Sequence, residues 1–450
     1  MDTAARKRKM AILAALGVLT LAGLGLRVGY AVEQPYAQPP DARAYARIAE
    51  SLERNGTFDA RPAGVEHEVQ PSSAYAPGLP LFLAAVYWLS GGPHLTLALI
   101  LLALIGAAGV ALTYLLGVRL SGQLAGLLGA GVMAFYPALL QYQGLLLTEP
   151  LAATLLVASL VSFLRAADKT PSPLPRPWVA WALCGGLFGL LALVRPEYLA
   201  IAILLPLLAA ARDGRGGGIR RAAALAGASL LATAIVLAPW TIRNAVVLER
   251  FVPISTGGGK ALYIGTYLGA DGDGPKLREL LLSERPALRA RLARGGPLND
   301  PERLVLERVL ARVAAASYPG VESDTALGRL GRRHLEYDVS EEPIRFAGML
   351  AGKAYETWTD AARSVMAAEP WRALQLAIVI FALAGVGVLA LRRRRFQALA
   401  CGLVLLYMTA IGALLIASPR RELVVLPLLA ALAGVALTGC RDSLARRWVS

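Results

Sequence analysis

The sequence predicts an all-α integral membrane protein, a helical bundle of about ten spans, and three observations predict it. Of 450 residues, 56% are hydrophobic and only 17% charged, with a mean hydropathy of +0.53, too apolar for a water-soluble globule. Apolar stretches near the ~20 residues that a helix needs to cross ~30 Å of hydrocarbon recur along the chain. Within them the apolar residues run continuously, which favours helices over the alternating strands of a barrel. The stretches lie near residues 11–30, 94–117, 122–137, 149–166, 178–194, 196–211, 222–240, 371–391, 396–418 and 423–440.

Arginine and lysine set the orientation. Arg6 to Lys9 precede the first span and Arg119 ends the second. Arg165, Lys169 and Arg176 follow the fourth, and Arg212, Arg215, Arg220 and Arg221 follow the sixth. Arg392 to Arg395, then Arg441, Arg446 and Arg447, fall on the same side of a ten-span bundle. The positive-inside rule makes that side cytoplasmic, with both termini inside. The loop 31–93 carries four Lys/Arg against seven Asp/Glu, and the segment 241–370 eighteen against seventeen. The formal charge of +15 therefore sits on the opposite face, where it reports topology, and a nucleic-acid partner is not expected. Cys184 and Cys401 fall within spans and Cys440 at the end of the last, so no disulfide is implied. The first span has a basic flank but no clear small-residue cleavage site, and reads as a retained signal anchor.

Three regions follow. Residues 1–240 form an N-terminal transmembrane module that includes the polar outer loop 31–93, residues 241–370 a mostly helical outer segment, and residues 371–450 the C-terminal transmembrane helices. In the first loop Tyr45, Ile48, Ala49 and Leu52 recur at helical spacing before Gly56, which predicts a short amphipathic helix suited to lying on the membrane surface. In the second region helical patterns lie near 276–293, 301–317 and 343–359. Gly257-Gly258-Gly259-Lys260 lacks the GxxxxGK[ST] spacing and the strand-to-helix setting of a phosphate loop. The glycines read as a bend, and Lys260 as a side chain able to meet a lipid phosphate.

Ionisable groups at a bilayer boundary are costly to desolvate and tend to mark function. Asp41 opens the amphipathic helix, where it is equally suited to be a general base and an N-cap. Glu149 precedes Pro150 at the mouth of the fourth span, either as a first-turn carboxylate favoured by the helix dipole or as an acidic partner in a site. Arg195 lies in an outer turn, where the positive-inside rule gives it no place; a phosphate or a salt bridge to Glu197 would explain it. Arg243 follows Trp240 as an interface anchor or a phosphate contact. Tyr45 and Tyr75 are candidates to stack on sugar rings. Glu66, His67 and Glu68 are a candidate group for a divalent ion, with no second His at ligand spacing.

Asp41 with Tyr45, Tyr75-Ala76-Pro77-Gly78, Thr148-Glu149-Pro150, Val194-Arg195-Pro196-Glu197, Pro239-Trp240-Thr241-Ile242-Arg243-Asn244 and Leu426-Pro427 stand in order along the spans. Together they resemble bacterial membrane glycosyltransferases of the GT-C fold, related to protein O-mannosyltransferases and to the aminoarabinose transferases of lipid A. Pro419-Arg420-Arg421-Glu422 departs from the Arg-Tyr pair such proteins often carry before the last span, so no role is assigned to Arg420. The resemblance implies a multi-pass enzyme of the bacterial cytoplasmic membrane, with its active site on the outer leaflet. Its donor would be a polyprenyl-phosphate sugar and its acceptor a protein, lipid or glycan. Asp41 and Glu149 would be catalytic, and Tyr45, Tyr75, Arg195, Arg243 and Lys260 would bind substrate. A divalent ion is left open as cofactor. The alternatives are a transporter or flippase of lipid-linked sugars and a non-catalytic envelope scaffold.

Overall fold

The computed structural model describes residues 3–34, 37–60, 71–168, 177–214, 218–284, 286, 290, 306–359, 370–416 and 420–447, without the side chains of 441–447. Among the described residues all regular structure is helical. In chain order the helices are α1 Thr3–Glu33, α2 Pro40–Asn55, α3 Gly78–Ser90, α4 Leu95–Ser121, α5 Gln123–Phe135, α6 Pro137–Gln141, α7 Glu149–Ala166, α8 Pro177–Val194, α9 Leu199–Asp213 and α10 Ile219–Leu248. There follow α11 Gly258–Gly265, α12 Gly274–Glu284, α13 Leu306–Ser317, α14 Ser323–Glu341, α15 Pro343–Thr359, α16 Trp371–Leu391, α17 Arg395–Leu414 and α18 Arg421–Arg447.

Eight of these are long and apolar enough to cross a bilayer, or nine if Gln123–Phe135 and Pro137–Gly144, bent by 49°, form one broken span. Two of the ten expected spans account for the difference. The stretch near 122–137 breaks because Pro137 forces Tyr136 into an extended conformation and withholds a backbone N–H. The stretch near 196–211 opens with a 3-10 turn at Pro196–Tyr198, and only 15 residues of α-helix remain, with Pro206 inside them.

The chain divides into two units, Met1–Ser255 with Asp360–Leu405 and Arg420–Ser450, and Thr256–Thr359 with Leu406–Pro419. In the first, α18 is the innermost helix: 83% of its apolar window is buried against 11% of that of α1, which leaves α1 facing lipid. Helix α18 packs on α16, α5, α4 and α7, and α8 packs on α10. Between membrane helices the water-driven gain of burial is absent, so close backbone approach supplies the attraction. At Gly385 of α16 a Cβ would fall 2.1 Å from the Leu432 carbonyl of α18, so only glycine permits that crossing. The break after α5 is closed by Arg27 of α1, fully buried, whose Nη2 donates to the Met133 carbonyl at 2.7 Å and Nη1 to that of Ala134 at 3.3 Å. Those are carbonyls of the last turn of α5, which have no partner within their own helix.

Helix α2 follows the expected register and stops at Gly56, whose left-handed backbone returns its N–H to Leu52. Its apolar face is not laid against lipid. Ile48 is buried with Phe58 and Trp240, with Leu52 and Tyr75 packed against them, and α2 lies along α3. The expectation of a surface-lying helix fails because the face the period defines is covered by the protein itself.

In the second unit Tyr263, Leu277, Leu281, Val309, Leu310, Val313 and Leu327 form one core contributed by α11 to α14. Helices α12, α13 and α15 lie on the three patterns, of which 285, 287–289, 291–293 and 301–305 fall outside the described residues; α11 and α14 lie outside the patterns. Gly257 bends the chain at a φ of 116°, as the glycine run implied, and Gly259 is a packing position, because a Cβ there would lie 1.9 Å from the Asp324 carbonyl at the start of α14. The Asp324 carboxylate accepts the Lys260 backbone N–H at 2.8 Å.

Candidate functional site

The first loop delivers Asp41 as the second residue of α2. Pro39 is the N-cap and Pro40 opens the helix, so the N-terminus is set by two fixed φ angles and no side chain caps it. The N-cap reading of Asp41 is thereby overturned. Its carboxylate Oδ2 instead accepts Nη2 of Arg420 at 2.7 Å. Three residues upstream, Gln38 donates Nε2 to the Gly144 carbonyl at 2.9 Å and accepts the Leu146 N–H on Oε1 at 2.9 Å. One amide therefore ties the entry of α2 to the segment that leads into Glu149.

Glu149 is the first residue of α7, beside Pro150, and only 1% exposed. Its Oε1 accepts Nη2 of Arg195 at 2.9 Å and lies 3.9 Å from Nε of Arg420; Oε2 has no hydrogen-bond partner among the described residues. Arg195, in the turn between α8 and Pro196, also donates to Glu197 at 3.0 Å and to the Thr148 hydroxyl at 3.2 Å. The groups form an alternating row, Asp41, Arg420, Glu149, Arg195, Glu197. Burial alone would lower the pKa of Arg195, but Glu149 and Glu197 outweigh it and hold the guanidinium above its ordinary value. Burial likewise opposes the charge of Arg420, and Glu149 and Asp41 overcome it. For Glu197, Arg195 and Arg421 overcome burial and keep the carboxyl below its usual range.

Pro39, Pro40, Asp41, Gln141, Tyr142, Leu145, Leu147 and Arg420 line a cavity of about 410 Å³. Asp41 and Arg420, 41% and 35% exposed, are its charged wall, while Glu149 and Arg195, 1% and 14% exposed, stand behind it. Tyr45 lies next to this row. Burial, then the negative charges of Asp41 and Glu149, raise its hydroxyl pKa above the ordinary value. Its ring meets that of Tyr75 edge to face at 5.4 Å.

The fold thus brings Asp41, Tyr45, Tyr75, Glu149 and Arg195 together. Arg243 belongs to the aromatic cluster behind Tyr75: its guanidinium lies 4.8 Å over the Trp240 ring and donates to the Ser72 carbonyl at 2.8 Å. Lys260 is in the second unit, with Nζ 3.4 Å from Glu307. Glu66, His67 and Glu68 lie outside the described residues. Arg420 and Gln38 were missed. Arg420 carried a usable signal, since it is a cation on the face where Arg195 had already looked out of place.

Among the described residues no group of three or more His, Cys, Asp or Glu side chains could hold a metal ion. Asp41 and Glu149 do not fit a divalent ion as they stand, because the Arg420 guanidinium lies between the two carboxylates.

No protein-family model matches the chain, and no curated protein sequence matches it. Solved structures do. The oligosaccharyltransferase AglB of Archaeoglobus fulgidus, in complex with an inhibitory peptide and a dolichol-phosphate, is similar with a TM-score of 0.57 at 16% identity, over 98% of this chain and 52% of that one. An oligosaccharyltransferase of Archaeoglobus fulgidus in complex with Zn and sulfate gives 0.54 at 16% identity, over 96% and 50%. ArnT from Cupriavidus metallidurans bound to undecaprenyl phosphate gives 0.41 at 15% identity, over 97% and 79%. The chain spans about half the length of AglB. It has the fold of the GT-C membrane glycosyltransferases, as the order of its motifs implied.

Proposed function

We propose that the protein transfers a sugar from a polyprenyl-phosphate-linked donor to a hydroxyl or amide acceptor on the outer face of the cytoplasmic membrane. The observation that carries this reading is a carboxylate, Asp41, paired with a guanidinium, Arg420, on the wall of one cavity. Asp41 takes the proton of the acceptor group, whose heteroatom attacks the anomeric carbon. The bond from that carbon to the phosphate oxygen breaks, and polyprenyl phosphate leaves with the electron pair. A single displacement inverts the anomeric centre. Arg420 receives the charge that develops on the phosphate, in a site partly withdrawn from water where a fixed cation acts strongly. Glu149, locked by Arg195, holds Arg420 from the other side. Tyr45 and Tyr75 offer ring faces to the sugar, and a peptide, the kind of molecule AglB binds, is one class of acceptor to test.

The experiment is transfer by purified protein from a panel of polyprenyl-phosphate sugars, read as acceptor-dependent release of polyprenyl phosphate. No release with any donor, together with transbilayer movement of a lipid-linked sugar in proteoliposomes, would replace the enzyme with the flippase. That second reading is favoured by the broken span after α5, since transporters use interrupted helices. Against it, the carbonyls exposed by the break are already taken by Arg27.

Gln38 supplies a further expectation. Gln38→Ala removes the amide that holds Asp41 and Glu149 in register, so turnover falls by about 10²-fold from a misplacement of the order of 1 Å. The Gly144 and Leu146 backbone groups lose their partner, at a cost of about 1–3 kcal/mol. KM should move little. Equal turnover of the two proteins would make Gln38 a loop clasp without influence on the site.

A further inference from the structure

The first unit has a second cavity, of about 210 Å³, at the far end of the helix that Glu149 begins. Helix α7 runs its 18 residues from Glu149 to this cavity, which at 1.5 Å per residue sets the two about 27 Å apart. Its wall is formed by Arg119 of α4, Asp168 after α7, Arg212 of α9, and Phe396 and Gln397 of α17. Arg212 is a fixed part of that wall. It is held bidentately by Asp213 at 2.7 and 2.9 Å, donates to the Ala167 carbonyl at 2.8 Å, and lies 3.8 Å over the Phe396 ring.

Arg119 is different. A cation in the last turn of a helix ordinarily serves the helix's terminal carbonyls. Here Arg394 does that for α4, donating to the carbonyls of Arg119 and Leu120 at 2.8 and 3.2 Å, and Arg392 reaches the Ser121 hydroxyl at 3.1 Å. The Arg119 guanidinium makes no hydrogen bond among the described residues, and its nearest carboxylate, Asp168, is 3.8 Å away. Asp213 binds Arg212, and Asp168 approaches Arg119 no closer than 3.8 Å, so the Arg119 donors are left for a ligand.

On the same helices Leu115, one turn before Arg119, and Leu399, one turn after Phe396, are 44% and 60% exposed. A ligand matched to this arrangement has a compact anion and apolar chains that lie along the helices. We propose that the pocket binds the phosphate of an anionic phospholipid, with Arg119 as its donor. Arginine suits this because its fork matches phosphate oxygens, and basic pockets between helix ends are where anionic headgroups are held.

The test uses the full-length protein, wild type, Arg119→Gln, and Arg220→Gln/Arg221→Gln, the last pair being exposed arginines of α10 outside the pocket. Phosphatidylglycerol is titrated against each in detergent and read by native mass spectrometry. Phosphatidylcholine and inorganic phosphate are titrated separately. Apparent affinity for phosphatidylglycerol should fall about fivefold in Arg119→Gln, the size of one cation's attraction to an anionic surface. It should be unchanged in the α10 variant, and the other two ligands should not bind comparably. Arg119→Lys, which keeps the charge and loses the fork, should fall between wild type and Arg119→Gln, and serves if the glutamine variant does not fold. Unchanged affinity in the pocket variants, or an equal fall in the α10 variant, would overturn the proposal. Inorganic phosphate binding as tightly as the lipid would assign the pocket to a free anion instead.

Discussion

Asp41→Asn is expected to lower turnover by about 10²- to 10⁴-fold, the loss typical of removing a positioned general base, while the melting temperature scarcely moves. Asparagine has nearly the same shape but cannot take a proton from the acceptor at neutral pH. The stability half of this expectation comes from the site's geometry. Helix α2 is capped by Pro39 without a side-chain bond, so the ~1 kcal/mol that an N-cap aspartate contributes is not at stake. What remains is the pair with Arg420, whose two side chains are 41% and 35% exposed, and such solvent-screened pairs contribute about 0.2–1 kcal/mol. The measurement is sugar transfer by the purified variant alongside its thermal unfolding. A variant with near-normal turnover would remove Asp41 from the mechanism, whatever its melting temperature.

Local pattern carried much of this protein and then ran out at recognisable points. The period of Tyr45, Ile48, Ala49 and Leu52 and the stop at Gly56 locate α2 because a helix's register and its left-handed cap are properties of neighbouring residues. The same period cannot say what covers the apolar face, and Trp240, far along the chain, does. Arg195 and Glu197 are two residues apart, and their bond was foreseeable. Arg195 and Glu149 are 46 apart, and Asp41 and Arg420 are 379 apart. Those contacts follow from which helix packs on which, and no spacing encodes that. Arg420 was set aside because its neighbours depart from the family's pattern; its position on an arginine-poor face was the better guide. The expected spans and the long apolar helices differ where proline interrupts an apolar run, at Pro137 and Pro196, since hydropathy sums over a break that the backbone cannot bridge. The glycines before Lys260 read by composition as a bend, which Gly257 makes at a φ of 116°, but the reason for Gly259 is a carbonyl of α14, 65 residues on.

Arg195 and Arg420 both touch Glu149, and replacing each by methionine should give opposite phenotypes. Arg195, 14% exposed, is the shared counterion of Glu149 and Glu197. Arg195→Met leaves the nearly inaccessible Glu149 without its close partner, and breaking a buried pair in this way costs about 3–5 kcal/mol because the stranded charge has no water to turn to. Part of that cost can be relieved by Arg420, 3.9 Å from the same oxygen, which would draw it away from Asp41. Arg420→Met removes a cation from the cavity wall where Asp41 retains access to solvent, so the fold should lose no more than about 1 kcal/mol. Turnover should nevertheless fall by about 10²- to 10³-fold, the loss expected when a preorganised partner of developing charge is deleted. Thermal unfolding and transfer rates of the two variants, measured side by side, separate the roles. An Arg195→Met protein as stable as wild type would mean that Glu149 is not held as an anion by that pair. An Arg420→Met protein with wild-type turnover would leave the departing phosphate to some other cation, and the wall of the cavity would have to be read again from Asp41 alone.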